Sequence, residues 1–144
     1  MPLRILLADD QQLVRDGIKA LLEQEGFEVV GAAVNGEEAV RLAQVLNPDV
    51  AVLDLVMPVM SGLDAGEQIL RTCPRTHVLL LTMHSREHQV VAALKAGIRG
   101  YVVKTQAVED LVDAIRAVTG GEIYLSPKIS KAAVGAYFAG AEPR

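Results

Sequence analysis

The sequence predicts an α/β protein: a doubly wound, five-stranded parallel sheet with helices on both faces. Three observations point there. Five short apolar runs alternate with five stretches of helical periodicity. The runs are apolar throughout rather than at every second residue, as strands covered on both faces require. The chain has 144 residues, of which 51% are hydrophobic, enough to build and fill one core.

The elements follow in order. Ile5–Ala8 is the first strand, and Leu13, Val14, Ile18, Leu21 and Leu22 place one apolar face on the first helix. Val29–Ala33 is the second strand. Asn35 and Glu38 then form a capping pair ahead of Ala39, Val40, Leu42, Ala43 and Leu46. Val50–Leu53 is the third strand, and Ser61 with Asp64 starts a helix carrying Leu63, Ile69 and Leu70. Val78–Leu81 is the fourth, followed by a helix capped by Ser85 that buries Val90, Val91 and Leu94. Tyr101–Val103 is the fifth, and Val108, Leu111, Val112, Ile115 and Val118 mark the last helix, its apolar residues read as core. Gly26, Gly97 and Gly120 stand where three helices should stop. Beyond Thr119, "GGEIYLSPKIS" reads as a turn, then a linker or a short helix through Ala132, Ala133, Val134 and Tyr137. The expected division is therefore a domain over 1–120 and a linker segment over 121–144.

Composition narrows the function. Net charge is −4, so these residues lack the basic excess that nucleic-acid binding needs. A single cysteine rules out an internal disulfide and a Cys-built zinc site. A reducing cytoplasm is the simple inference from the single Cys73. The start "PLRILLADD" does not read as a signal peptide, and no apolar stretch is long enough to span a bilayer, so no membrane attachment is expected. Aromatic residues are only 3% and Trp is absent, so aliphatic side chains must fill the core.

Open parallel sheets bind ligands beyond the carboxyl ends of their strands. Here Asp9 and Asp10 follow the first strand, Asp54 the third, Thr82 the fourth and Lys104 the fifth. An Asp can simply cap a helix, and a lone lysine can be a solvated strand end. Capping needs only one Asp, however, and leaves Asp54 unexplained. If the first and third strands are neighbours, the acids crowd: two carboxylates about 4 Å apart repel by roughly 4 kcal/mol at an effective dielectric near 20. A hard divalent cation relieves this, and Mg²⁺ fits because it accepts one or two carboxylates and completes its shell with water and phosphate oxygen. Lys104 then suits an anion brought to the metal, with the Thr82 hydroxyl as a further donor. Asp54 is the candidate acceptor, since a carboxylate can attack phosphorus and form an acyl phosphate. The turn "MPVMSG" after it is held by Pro58 and Gly62. No P-loop and no G-x-G-x-x-G is present, Asp54-Leu55-Val56 lacks the second acid of a D-x-D phosphatase, and His77, His84 and His88 form no metal-spaced cluster.

The segments "ILLADDQQLVRDGI", "DVAVLDLVMPVMSGLD", "VLLLTMH" and "GIRGYVVK" together resemble the receiver domain of bacterial two-component response regulators, over about Leu3 to Thr119. "GGEIYLSP" further resembles the segment that follows the receiver in the NarL/FixJ subfamily, where a linker leads to a LuxR-type helix-turn-helix domain. The resemblance implies strand order 2-1-3-4-5. It implies that Asp54 takes a phosphoryl group from a sensor histidine kinase. Asp10, Asp54 and the Val56 backbone carbonyl would bind Mg²⁺ directly, Asp9 through water, and Lys104 would contact the phosphoryl group. Thr82 and Tyr101 would be the switch pair that remodels the interaction surface.

By the same resemblance the partners are the kinase, docked at the helix beginning near Gln11, and a second copy of the chain on phosphorylation. DNA would be reached only through a C-terminal domain absent from these residues. The chain is thus expected to be a signalling switch that controls transcription, not an enzyme acting on a metabolite; a single-domain receiver and a small Mg²⁺-dependent phosphatase are the alternatives. Two departures stand out. Thr105 replaces the proline common after the lysine, which puts a cis bond there in doubt. Val56, which with His84 occupies a position that tunes loss of the phosphoryl group, offers no polar atom to orient water, so slow self-dephosphorylation is expected.

Overall fold

A computed structural model describes residues 2–83, 86–104, 108–126 and 135. The first ten elements alternate: β1 (Arg4–Ala8), α1 (Gln12–Gln24), β2 (Glu28–Ala33), α2 (Gly36–Leu46), β3 (Val50–Asp54), α3 (Gly62–Thr72), β4 (His77–Thr82), α4 (Glu87–Lys95), β5 (Gly100–Val103) and α5 (Val108–Thr119). A sixth strand, β6 (Tyr124–Leu125), follows. All pairings are parallel, in the order β2-β1-β3-β4-β5-β6.

Two cores explain the unbroken apolar runs. Ile5 and Leu7 of β1, Val50 and Val52 of β3, and Leu79 and Leu81 of β4 face Leu22 of α1 and Leu111, Val112, Ile115 and Val118 of α5. The intervening residues Leu6, Ala8, Ala51, Leu53, Val78 and Leu80 face Ala39 and Ala43 of α2, Ile69 of α3 and Val90 and Leu94 of α4. Successive strand side chains point to opposite faces, so each central strand must be apolar at every position. Burying each Val, Leu or Ile contributes about 1.5–3 kcal/mol. Leu111 and Val112 are core residues, as expected; the side chain of Val108 lies outside the described residues.

Both expected caps form: Asn35 Oδ1 accepts from the Glu38 amide at 2.8 Å, and Ser61 Oγ accepts from the Asp64 amide at 3.1 Å. The proposed Ser85 cap lies outside the described residues; α4 begins at Glu87. Gly26 and Gly97 take positive φ after α1 and α4, whereas after α5 it is Gly121, not Gly120, that does so.

Other details differ from expectation. The sheet has six strands rather than five, because Tyr124 and Leu125 pair with Gly100 and Tyr101 along the edge of β5. β2 is only partly buried, since it is the opposite edge. Leu13 is 87% exposed and is not on the packed face of α1. The suggested helix through Ala132, Ala133, Val134 and Tyr137 lies outside the described residues, as do Thr105 and His84; among the described residues no peptide bond is cis. Among the described residues no helix is long and apolar enough to cross a membrane.

Candidate functional site

Register brings the acids together. Ala8 of β1 pairs with Leu53 of β3, so Asp9 and Asp54 leave neighbouring strands at the same level. Thr82 pairs with Val103, which places Lys104 just past the end of β4. Asp9, Asp10 and Asp54 each bring a carboxylate oxygen within 4.8 Å of the others. Asp9 is fully buried and Asp54 nearly so, whereas Asp10 is exposed.

Lys104 is the internal counterion. Its Nζ lies 2.8 Å from Asp9 Oδ2 and 3.1 Å from Asp54 Oδ2. Burial works against the ammonium, but hydrogen bonds to Asp9 and Asp54 outweigh it and the Lys104 pKa is raised. Burial also pushes the Asp54 carboxyl up; Lys104 opposes this, Asp9 adds to it, and the Val56 amide, which donates to Asp54, opposes it. One ammonium among three acids leaves the cup short of positive charge.

Asp9 is locked on every side. Its amide donates to the Ala33 carbonyl at 3.0 Å, its Oδ1 accepts from the Gln11 amide at 2.9 Å, and its Oδ2 holds Lys104. Its carbonyl accepts from Arg15 Nη1 at 2.7 Å, a contact that sequence reading missed. The only signal was a basic residue about one turn into the helix after the acids. With both carboxylate oxygens taken, Asp9 suits an indirect contact to a metal better than a direct one. Asp10 and the second oxygen of Asp54 are the more open ligands. The all-oxygen donor set fits a hard divalent cation such as Mg²⁺.

The loop after Asp54 is held by close backbone approach. A Cβ on Gly62 would lie 2.2 Å from the Asp54 carbonyl oxygen, so no larger residue fits there. The Gly62 amide donates to the Leu55 carbonyl at 2.8 Å. Within the loop Val56 and Val59 stand in solvent. Val59 has φ of 72°, unusual for a β-branched residue.

Thr82 and Tyr101 are buried on adjacent strands. Burial raises the Tyr101 phenol, and the nearby Thr82 side chain lowers it in part. The Tyr101 hydroxyl is enclosed without a hydrogen bond of ordinary geometry. The Thr82 carbonyl accepts from the Lys104 amide at 2.6 Å, so the lysine and the two switch candidates form one connected corner.

A parallel sheet of this order, with acids at the carboxyl ends of its first and third strands and a lysine after its fifth, has the layout of a receiver domain. The chain belongs to the response regulator receiver domain family, whose model matches residues 5–116. Among curated proteins it is 38% identical over 130 residues to the response regulator protein VraR of Staphylococcus aureus, covering 90% of this chain and 62% of VraR. The chain thus spans under two thirds of that relative's length. A solved LuxR-family two-component response regulator from Aurantimonas sp. superposes with a TM-score of 0.88 at 34% identity, covering 96% of this chain and 99% of that one. The isolated receiver domain of RcsB from Salmonella enterica serovar Typhimurium, determined in the presence of phosphomimetic beryllofluoride, superposes with a TM-score of 0.78 at 28% identity, covering 95% and 99%. These likenesses place the chain with the LuxR-type, or NarL/FixJ, regulators of two-component signalling.

Proposed function

We propose that this chain is a Mg²⁺-dependent phosphoryl acceptor that serves as the switch of a two-component regulator. The observation that carries it is the Lys104 ammonium spanning the buried acids Asp9 and Asp54, with Asp10 beside them. Asp54 Oδ attacks the phosphorus of a kinase phosphohistidine. The P–N bond breaks, its electron pair stays on the imidazole nitrogen, and an acyl phosphate forms on Asp54. Bound Mg²⁺ would offset charge on the transferring oxygens. Asp10, Asp54 and the Val56 carbonyl are its proposed direct ligands, and Asp9 acts through water. Lys104 holds the phosphoryl oxygens from the other side.

A group of about two negative charges then sits beside Thr82 and Tyr101. The Thr82 hydroxyl turns to it and Tyr101 repacks, changing the surface around α4, β5 and α5. The kinase docks beside α1, a second copy joins on phosphorylation, and any control of transcription acts through a separate DNA-binding domain. Val56 has no polar atom to orient water, so the acyl phosphate is expected to be long-lived.

The test is mass spectrometry after incubation with Mg²⁺ and acetyl phosphate. A gain of one phosphoryl group that Asp54→Ala abolishes supports the proposal. No gain, or a gain that survives Asp54→Ala, overturns it. Many turnovers of phosphate esters would instead mark a phosphatase.

A further inference from the structure

The segment after α5 is tied to the site by side chains that the phosphoacceptor chemistry does not use. Asp110 on α5 spends both carboxylate oxygens on it: Tyr124 Oη donates to Oδ1, and Ser126 Oγ donates to Oδ2 at 3.0 Å. The Ser126 hydroxyl, fully inside, also accepts from the Val103 amide at 2.9 Å. Two backbone bonds run alongside, Tyr124 N–H to the Arg99 carbonyl at 2.8 Å and Ser126 N–H to the Tyr101 carbonyl at 3.1 Å.

Strand amides alternate in direction. The Lys104 amide points to β4, where Thr82 accepts it, so the Val103 amide points the other way, to Ser126. Closing a sheet edge needs only backbone pairing. Here an acid fixes a hydroxyl, and the hydroxyl fixes the amide directly before the site lysine. Hydrogen bonds to a carboxylate are strong and directional, and these two are partly shielded from water. They leave the end of β5 little freedom, and Lys104 extends from it to Asp9 and Asp54.

Resting on the phosphoacceptor reading, we propose that Asp110, Tyr124 and Ser126 are positioning residues that preset the Lys104 ammonium beside Asp54 and couple the segment Tyr124–Ser126 to the filling of the acidic cup. Preset charge costs no rearrangement when the anion arrives. Coupling is reciprocal: whatever the clamp adds to anion affinity, the anion adds to the clamp.

The experiment titrates beryllofluoride in saturating Mg²⁺ on the full chain, with Mg²⁺ alone as control. The Ser126→Ala variant is expected to bind beryllofluoride about fivefold more weakly, at the low end of usual coupling, with Mg²⁺ affinity unchanged. Ser126→Thr, which keeps the hydroxyl, restores most of the loss. General loosening would weaken both ligands, because the Mg²⁺ ligands come from β1 and β3. In the wild-type chain, hydrogen exchange at the Val103 amide slows when beryllofluoride binds. If Ser126→Ala does not fold, Asp110→Asn gives the same comparison. Equal beryllofluoride affinities, a parallel loss of Mg²⁺ affinity, or unchanged exchange at Val103 overturns the clamp. Failure of the wild-type chain to take beryllofluoride overturns the phosphoacceptor reading itself, and the clamp with it.

Discussion

The two ends of this sheet solve the same problem differently. At the amino end, polar groups close on backbone. The Arg4 guanidinium donates to the Leu46 and Asn47 carbonyls at 2.8 and 3.0 Å, the Arg4 amide donates to Asp49 Oδ2 at 2.8 Å, and the buried Thr76 hydroxyl donates to the Pro48 carbonyl at 2.7 Å. Each of these donors has its acceptor within the fold. At the carboxyl end three acids crowd together, and the two buried ones share one ammonium. Saturated polar groups hold a fold together; an excess of buried charge destabilises it and is retained where a ligand completes it.

The largest way to break this contrast is Gly62→Ala. The new methyl would meet the Asp54 carbonyl at 2.2 Å, a backbone atom that cannot swing aside. Overpacking of this kind costs about 3 kcal/mol at the upper end of its range. Thermal unfolding should show the loss, and Asp54 should leave its register with Lys104. Next is Thr76→Val at the amino end. It deletes the buried bond to Pro48 and leaves that carbonyl without its donor. A loss of about 1–3 kcal/mol is expected in denaturant unfolding, with beryllofluoride affinity unchanged.

The Asp54→Asn substitution sharpens the contrast because its sign is opposite. Burial raises the Asp54 pKa, so the ionised form weakens the metal-free fold at neutral pH. Removing the charge should therefore raise stability by about 1 kcal/mol. The gain is fully present above the raised folded pKa of Asp54. It shrinks as pH falls through that value and vanishes only below 3.8, where the wild-type carboxyl is neutral in both states. Saturating Mg²⁺ should reverse the order, since only the wild-type native state holds the ion tightly. Melting curves at two pH values, with and without Mg²⁺, read all of this.

The sequence showed the rim more fully than it showed the wiring. Asp9, Asp10, Asp54, Thr82 and Lys104 were legible because each stands at the end of an apolar run, and a parallel sheet brings those ends to one side. Which of the adjacent acids is buried was not legible. Asp9 is inside because Lys104, 95 residues away, reaches it. The Arg15 contact to the Asp9 carbonyl, the sixth strand and the Asp110 clamp were missed for the same reason. Three apolar residues in "EIYLS" carry too weak a pattern for a strand, and its bonds come from distant partners. Leu13 misled because hydrophobicity alone does not reveal which side of a first turn meets the sheet.

The smallest expected effect is at Val59. Its φ of 72° lies in the left-handed region, where an L residue costs about 1–2 kcal/mol and glycine little. The side chain is 75% exposed, so Val59→Gly gives up almost no packing. Against the relief stands the extra freedom glycine brings to the unfolded chain, about 0.5–1 kcal/mol. The net expectation is a gain of no more than about 1 kcal/mol, a rise of roughly 2–4 °C in Tm for a chain of this size. The loop belongs to the carboxyl end, where Val59 sits between Asp54 and the close contact at Gly62. If that strain holds Asp54 in place, beryllofluoride affinity should fall as Tm rises. A rise in Tm with unchanged affinity would make Val59 a local defect, and the tension at this end would then lie in its buried charges alone.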